Sequence, residues 1–240
     1  MNHGKDLLIQ GINELGLKIS EKQLDQFMKF YDMLIETNKV MNLTSIVEVD
    51  DVIVKHFLDS LLVVKTFDIF SIDCIIDIGT GAGFPGIPIK IMFPNIKVTL
   101  LDSLNKRLKF LDDVIHKLGL MEIDTLHGRA EDIARKPEYR EKFDLCVSRA
   151  VANLSTLSEY CIPFIKKDGN FISYKSCTSD EEISNAKNAI NILGGEIVDK
   201  CIVSLPCSDM ERIFVNILKD KTTPKKYPRK AGTPLKDPIR

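Results

Sequence analysis

Cys74-Ile75-Ile76-Asp77-Ile78-Gly79-Thr80-Gly81-Ala82-Gly83-Phe84-Pro85-Gly86-Ile87-Pro88 is the stretch whose reading decides the fold. A short apolar run ends in a carboxylate, glycines then crowd a turn, and Pro85 with an apolar-periodic segment opens a helix. Strand, glycine turn and helix in that order build a cofactor pocket at the carboxyl ends of the strands of an α/β sheet. Glycine suits the turn because a side chain there would hold a cofactor away from the backbone and resist positive φ. Pro85 fits the first helical turn, where its missing N–H costs nothing.

Two cofactor classes use such a turn. Gly81-Ala82-Gly83-Phe84-Pro85-Gly86 has the G-x-G-x-x-G spacing of dinucleotide sites, but that fingerprint normally begins at the first glycine after the strand, here Gly79. Read from Gly79, the pattern is Asp77-x-Gly79-x-Gly81-x-Gly83, the nucleoside-binding turn of S-adenosylmethionine (SAM) methyltransferases. SAM carries a cationic amino-acid end and a sulfonium. An acid at the strand end therefore favours SAM and would repel a pyrophosphate. Asp77, Gly79 and Gly81 are accordingly expected to serve SAM, with a dinucleotide site or a purely structural glycine turn as the alternatives.

The chain of 240 residues suits one large α/β domain with an appendage. Its 33 Lys and Arg nearly balance 34 Asp and Glu, so any nucleic-acid footprint must be local. The six cysteines, Cys74, Cys146, Cys161, Cys177, Cys201 and Cys207, contain no C-x-x-C pair and have no His-rich neighbourhood. Reduced thiols are expected, with neither a metal site nor a disulfide framework. Met1-Asn2-His3-Gly4-Lys5-Asp6 shows no apolar leader and no run reaches membrane-spanning length, so a cytoplasmic protein without a membrane partner is expected.

Residues 1–68 read as a helical cap. Ser20-Glu21-Lys22-Gln23 is a capping box, after which Leu24, Phe27, Met28, Tyr31, Leu34 and Ile35 keep helical spacing. Asn38 to Ser45 reads as a loop, and a further helix is expected from about Asp50. Over residues 69–219 strands and helices alternate, as in a parallel doubly wound sheet. Glu196 to Leu205 and Glu211 to Leu218 read as a closing antiparallel pair. That finish points to a Rossmann-like, seven-stranded, mostly parallel methyltransferase sheet rather than a nicotinamide-binding one.

Strand ends supply the remaining candidates. Lys97 to Leu101 ends on Asp102, about twenty residues past the glycine turn, where a carboxylate accepts from ribose hydroxyls. The strand near Ile123 to Leu126 leads to Glu131 and Asp132, either of which could accept from the adenine amine. The strand Phe143 to Val147 leads to Arg149, the strong hydrogen-bond donor of a loop that faces the methyl group and its acceptor. This loop carries neither the Asn/Asp-Pro-Pro-aromatic tetrapeptide of amino-group methyltransferases nor the Pro-Cys nucleophile of pyrimidine-C5 enzymes.

Residues 220–240 differ in composition. Lys225, Lys226, Arg229 and Lys230 stand among Pro224, Pro228, Pro234 and Pro238 beside Tyr227. Prolines deny the stretch a helix and few apolar residues bury it, so it reads as a phosphate-contacting arm whose Tyr227 could stack on a base.

These residues closely resemble the bacterial RsmG family, also called glucose-inhibited division protein B. The shared stretches are Asn42-Leu43-Thr44, His56-Phe57-Leu58-Asp59-Ser60-Leu61, Asp77 to Pro88, Leu101-Asp102-Ser103, Lys106-Arg107, Ser148-Arg149-Ala150-Val151-Ala152 and Tyr227 to Pro234. The resemblance covers nearly the whole chain. It implies a SAM-dependent enzyme that methylates N7 of one guanine in 16S ribosomal RNA, acting on free RNA or on the small subunit. It also implies that Gly79, Phe84, Ala130, Glu131 and Arg149 line the SAM site. Thr80 stands where many members carry serine.

Guanine N7 has an in-plane lone pair and no proton, so it needs no general base. Holding N7, methyl carbon and sulfur in line then supplies the catalysis, with Arg149 orienting the guanine or holding the SAM side. Three other classes compete: a nicotinamide oxidoreductase, a small-molecule methyltransferase and a non-catalytic RNA-binding module. The first conflicts with Asp77 and the antiparallel finish, and the second leaves the basic arm without a purpose. The third would bind rRNA without turning over SAM.

Overall fold

The computed structural model describes residues 2–149, 152–175 and 180–240; Ala150, Val151 and Cys177, singled out above, lie outside these. Three helical segments come first. These are α1 (Asn2–Glu14), α2 (Glu21–Met41) and a continuous helical rod made of α3 (Val49–Val52), a π-helical turn Ile53–Leu58, α4 (Asp59–Leu61) and a 3-10 turn Leu62–Lys65. The Ser20 capping box forms as the sequence requires, with Gln23 N–H on Ser20 and Ser20 N–H on the Gln23 side chain. α2 runs past the loop expected at Asn38 and ends in a left-handed Asn42 at φ 50°. There the Asn38 amide bonds both backbone groups of Thr44, at 2.9 Å each.

The core alternates β1 (Cys74–Ile78), α5 (Gly86–Met92), β2 (Lys97–Asp102), α6 (Asn105–Leu118), β3 (Ile123–His127), α7 (Ala130–Ile133), β4 (Phe143–Arg149), α8 (Leu154–Cys161), β5 (Ile165–Lys175), α9 (Asp180–Leu193), β6 (Gly195–Ser204) and β7 (Glu211–Lys219). The sheet order is β3-β2-β1-β4-β5-β7-β6; β1 to β5 pair in parallel, and β7 is antiparallel to both its neighbours. The chain passes from β1 outward to β2 and β3, then crosses to β4 on the other side of β1. That reversal opens a crevice at the carboxyl ends of β1, β2 and β4.

Strand alternation divides the core into two layers. Ile75, Leu100, Leu145, Ile172 and Phe214 join one cluster with α1, α2, α5 and α6, whereas Ile76, Leu101, Cys146, Phe171 and Val215 join the other with α7, α8 and α9. The helical cap therefore shares its core with the sheet. Phe30 of α2 lies 5.6 Å from Phe57 and 5.4 Å from Phe84 of the glycine turn. Gln23 and Gln26 of α2 donate to the last carbonyls of α5 and α6, at Ile91 (2.9 Å) and Leu118 (2.8 Å), satisfying helix ends that would otherwise lack partners.

The chain after β7 is not a free arm. Lys219 is a buried strand residue paired with Glu141 at 3.0 Å. Arg140 then donates to the carbonyls of Thr223 (2.7 Å) and Tyr227 (2.9 Å), and Arg135 to that of Pro228 (2.6 Å). Tyr227 and Pro228 are buried, so the ring expected to stack on a base is spent on packing. A short helix, α10 (Thr233–Lys236), forms with Pro234 in its first turn, where proline is tolerated. The five described cysteines are free thiols. No helix among the described residues is long and apolar enough to cross a membrane.

Candidate functional site

The glycine turn is held from beneath. Gly79 and Thr80 N–H both donate to the Leu101 carbonyl, at 2.9 and 3.1 Å. Asp77 Oδ2 accepts from Thr80 Oγ1 at 2.7 Å and from Gly86 N–H at 2.9 Å. A Cβ on Gly86 would stand 2.2 Å from Leu100 Cδ2, so only glycine lets α5 start this close to β2. The helix begins at Gly86, with Pro85 as its cap residue rather than inside its first turn.

Asp77 corrects one expectation. It is wholly buried and lines neither cavity at the strand ends, so its carboxylate shapes the loop rather than reaching a cofactor. Its Oδ1 has no partner among the described residues. Burial pushes its pKa up to about 7, against the opposing pull of the Thr80 and Gly86 hydrogen bonds.

Two adjoining cavities open above the turn, with Gly79 and Ser103 lining both. The larger, about 470 Å³, is bounded by Thr44, His56, Gly81, Phe84, Asp102 and Arg149. The smaller, about 190 Å³, is bounded by Leu101, Ala130, Glu131, Tyr160 and Leu235. Gly81, at φ +60°, has only the Gly79 carbonyl, 3.9 Å away, near its would-be Cβ, so the backbone faces open space there. A groove of about 690 Å³ between the start of α8, α9 and the last residues is larger, but it shares no lining residue with the glycine turn or with either of these cavities.

Asp102 closes β2 as expected. Its Oδ2 accepts from Gly81 N–H at 3.0 Å and its Oδ1 from Leu104 N–H at 2.8 Å, with Arg107 Nη1 at 3.4 Å. Of the two acids after β3, Glu131 is buried in the smaller cavity and accepts from Gly232 N–H at 2.8 Å, while Asp132 is exposed. The tail therefore helps wall that cavity, with Leu235 lining it and Gly232 holding the Glu131 carboxylate.

Arg149 stands at the end of β4 on the opposite wall. Its Nη1 donates to Asp59 Oδ2 (2.8 Å) and to the Lys55 carbonyl (3.1 Å), and its Nη2 lies 3.2 Å from His56 Nδ1. Among the described residues its Nε–H and one Nη2–H have no acceptor, so part of the guanidinium remains for a ligand. Asp59 is shared, its Oδ1 accepting from Arg212 Nε at 2.7 Å. The His56 ring stacks on Phe84 at 4.5 Å and 21°, and Arg149 lies 5.2 Å over the same ring. Burial, followed by the Arg149 charge, pushes the imidazole pKa down to about 3, so His56 is neutral. Roles for Thr44, His56, Asp59 and Arg212 had no signal in spacing. Thr44, His56 and Asp59 stood only in shared stretches, and the widened π-helical turn that turns His56 and Asp59 toward one arginine leaves no periodicity mark.

Of the expected tail contacts, Lys225, Lys226 and Lys230 are exposed. Arg229 is committed elsewhere. Its guanidinium and its backbone N–H all bond the buried Glu159, with Nη2 at 2.8 Å and N–H at 2.6 Å, and Arg229 also pairs with Asp237.

The cavities fit SAM in kind. An open face over Gly81, a carboxylate at the β2 end and an apolar slot with a buried acid match a cationic amino acid, a ribose and an adenine. The family described as GidB, rRNA small subunit methyltransferase G, matches residues 23–206. The ribosomal RNA small subunit methyltransferase G of Lachnoclostridium phytofermentans is 53% identical over 231 residues, covering 96% of each chain. That of Desulforamulus reducens is 51% identical over 239 residues, covering all of both. Among solved structures, a ribosomal protein L11 methylase from Lactobacillus delbrueckii subsp. bulgaricus is 18% identical with a TM-score of 0.51, covering 68% of this chain and 77% of that one, a likeness of fold. The chain belongs to the rRNA small subunit methyltransferase G family and is a SAM-dependent methyltransferase.

Proposed function

We propose that this enzyme methylates N7 of one guanine in 16S ribosomal RNA, with the two cavities over β1 and β2 as its site. Gly79 and Gly81 would hold the amino-acid end of SAM through their backbone, Asp102 the ribose, and Ala130 and Glu131 the adenine. Phe84 forms the apolar floor near the reacting centre. When bound, SAM supplies an electrophilic methyl group on a sulfonium, which a guanine N7 lone pair can accept with no proton to remove.

One observation carries the base-free reading. The two side chains lining the larger cavity that could take up a proton, Asp102 and His56, are both already engaged, Asp102 by Gly81 and Leu104 and His56 by Thr44 and Arg149. What the wall presents to an acceptor is donors, chiefly the two spare N–H groups of Arg149. Donors orient the carbonyl edge of a guanine or a neighbouring phosphate, and positioning is what an N7 nucleophile needs. The target base must leave its stack to reach the cavity, at a cost of about a few kcal/mol. Exposed Lys225, Lys226 and Lys230 would offset this by contacting phosphates.

The test is methyl transfer from labelled SAM to small-subunit rRNA, supplied both as free RNA and as assembled particles. Label in the RNA of either substrate supports the reading, and the ratio of the two identifies the preferred one. No label in either would overturn it.

A further inference from the structure

His56 sits at the centre of a chain of hydrogen bonds that leads into the larger cavity. Its Nδ1 faces Arg149 Nη2 at 3.2 Å and its Nε2 faces Thr44 Oγ1 at 2.8 Å. A guanidinium has donors only, so it bonds Nδ1 only where that nitrogen keeps its lone pair. The Lys55 carbonyl is also 3.1 Å from Nδ1 and has a second lone pair beside the one that Arg149 Nη1 uses, but a proton on Nδ1 would confront the guanidinium N–H 3.2 Å away. The neutral ring therefore carries its proton on Nε2. Stacking on Phe84 keeps the ring in this plane.

The consequence falls on Thr44. Its Oγ1 accepts from Ile46 N–H at 3.1 Å and, with this tautomer, from His56 Nε2–H. Both lone pairs are then used, and the hydroxyl hydrogen is left without an acceptor among the described residues. Thr44 lines the cavity that also holds Gly81, Phe84 and Arg149.

We propose that His56, as its Nε2–H tautomer, fixes Thr44 as a hydrogen-bond donor into the cavity, and that the Thr44 hydroxyl donates to O6 of the guanine to be methylated. This rests on the N7 reading above. The Hoogsteen edge of guanine presents N7 and O6 as adjacent acceptors. A donor committed to O6 aligns that edge without covering the N7 lone pair. Thr44 is then a substrate contact, and His56 a positioning residue that acts through it.

Nitrogen-15 spectra of the histidine-labelled wild-type protein test the tautomer without substrate. One of the four imidazoles, assigned with a His56→Gln variant, should show a protonated Nε2, a bare Nδ1 and no titration between about pH 5 and 8. A protonated Nδ1, or an imidazolium in that range, would overturn the proposal. Thr44→Val should lower kcat/KM for the RNA by about tenfold or more while the Kd for SAM, measured by calorimetry, is unchanged. Thr44→Ser should recover most of that loss. Wild-type kcat/KM in Thr44→Val, or a parallel loss of SAM affinity, would overturn the hydroxyl's role. If Thr44→Val does not fold, the wild-type spectra still decide. A wild-type enzyme that leaves rRNA unmethylated would count against the N7 reading alone and would not alter the spectra.

Discussion

At the scale of single residues, Asp77 places an ionisable group in the core beneath the glycine turn. Its ordinary pKa of 3.8 rises to about 7 on folding because burial penalises the carboxylate. A group raised in this way stabilises the fold in its protonated form. That contribution is complete below about pH 4 and is lost as pH rises toward 7, amounting to as much as about 4 kcal/mol. Asp77→Asn keeps an oxygen for Thr80 and Gly86 and has no charge to bury. The melting temperature of the ligand-free wild type should therefore fall relative to Asp77→Asn between about pH 4 and 7, and parallel curves would show that Asp77 is not titrating there. Arg149 gives the second prediction. Arg149→Ala removes one of two cations from a nearly buried Asp59 and should cost about 3 kcal/mol of stability. It should also abolish most methyl transfer; wild-type methylation with unchanged SAM affinity would contradict its assignment. Sequence reading found Arg149 because a guanidinium at a strand end is conspicuous. It found Asp77 as well, but assigned it to the ligand, since spacing cannot tell a carboxylate that faces a cavity from one that faces the loop's own backbone.

At the scale of elements, the tail and the π-helical turn are where composition and periodicity misled or fell silent. Lysines among prolines read as an exposed arm. The same segment packs along α7 and α8 because Glu159, nearly without exposure, requires Arg229, and because Arg135 and Arg140 cap its carbonyls. These partners lie about 70 to 90 residues apart in sequence, beyond any local pattern. Arg229→Ala should therefore lower thermal stability by about 3 kcal/mol, because it strands a buried carboxylate. The Lys225→Ala, Lys226→Ala and Lys230→Ala triple variant should melt like wild type. Its RNA affinity should fall, and its salt dependence should flatten by about one unit of slope for each phosphate no longer neutralised, with the Kd for SAM unchanged. An unchanged salt slope would remove the lysines from the RNA surface. Deleting everything after Asp220 is a poor test of RNA binding, since it strips Glu159 and Glu131 of partners together.

At the scale of the molecule, the doubly wound sheet was legible almost strand by strand. Buried parallel strands are written as short apolar runs interrupted by a single acid, such as Cys74 to Ile78 with Asp77 and Phe143 to Val147 with Asp144, and punctuated by glycine and proline. The antiparallel finish was legible too, because Pro206 separates two runs that pair as β6 and β7. What sequence could not show was that cap, sheet and tail meet at one place. Thr44 and His56 come from the cap, Phe84 and Asp102 from the first two βα turns, Arg149 from β4, and Leu235 from the tail, all lining adjoining cavities. The most direct measurement is to methylate small-subunit rRNA with this enzyme, then treat it with borohydride and aniline, which cleave the chain at N7-methylguanine. One new scission at a single guanine, dependent on SAM, is the predicted result. Methylated RNA that resists cleavage would contradict N7 as the acceptor.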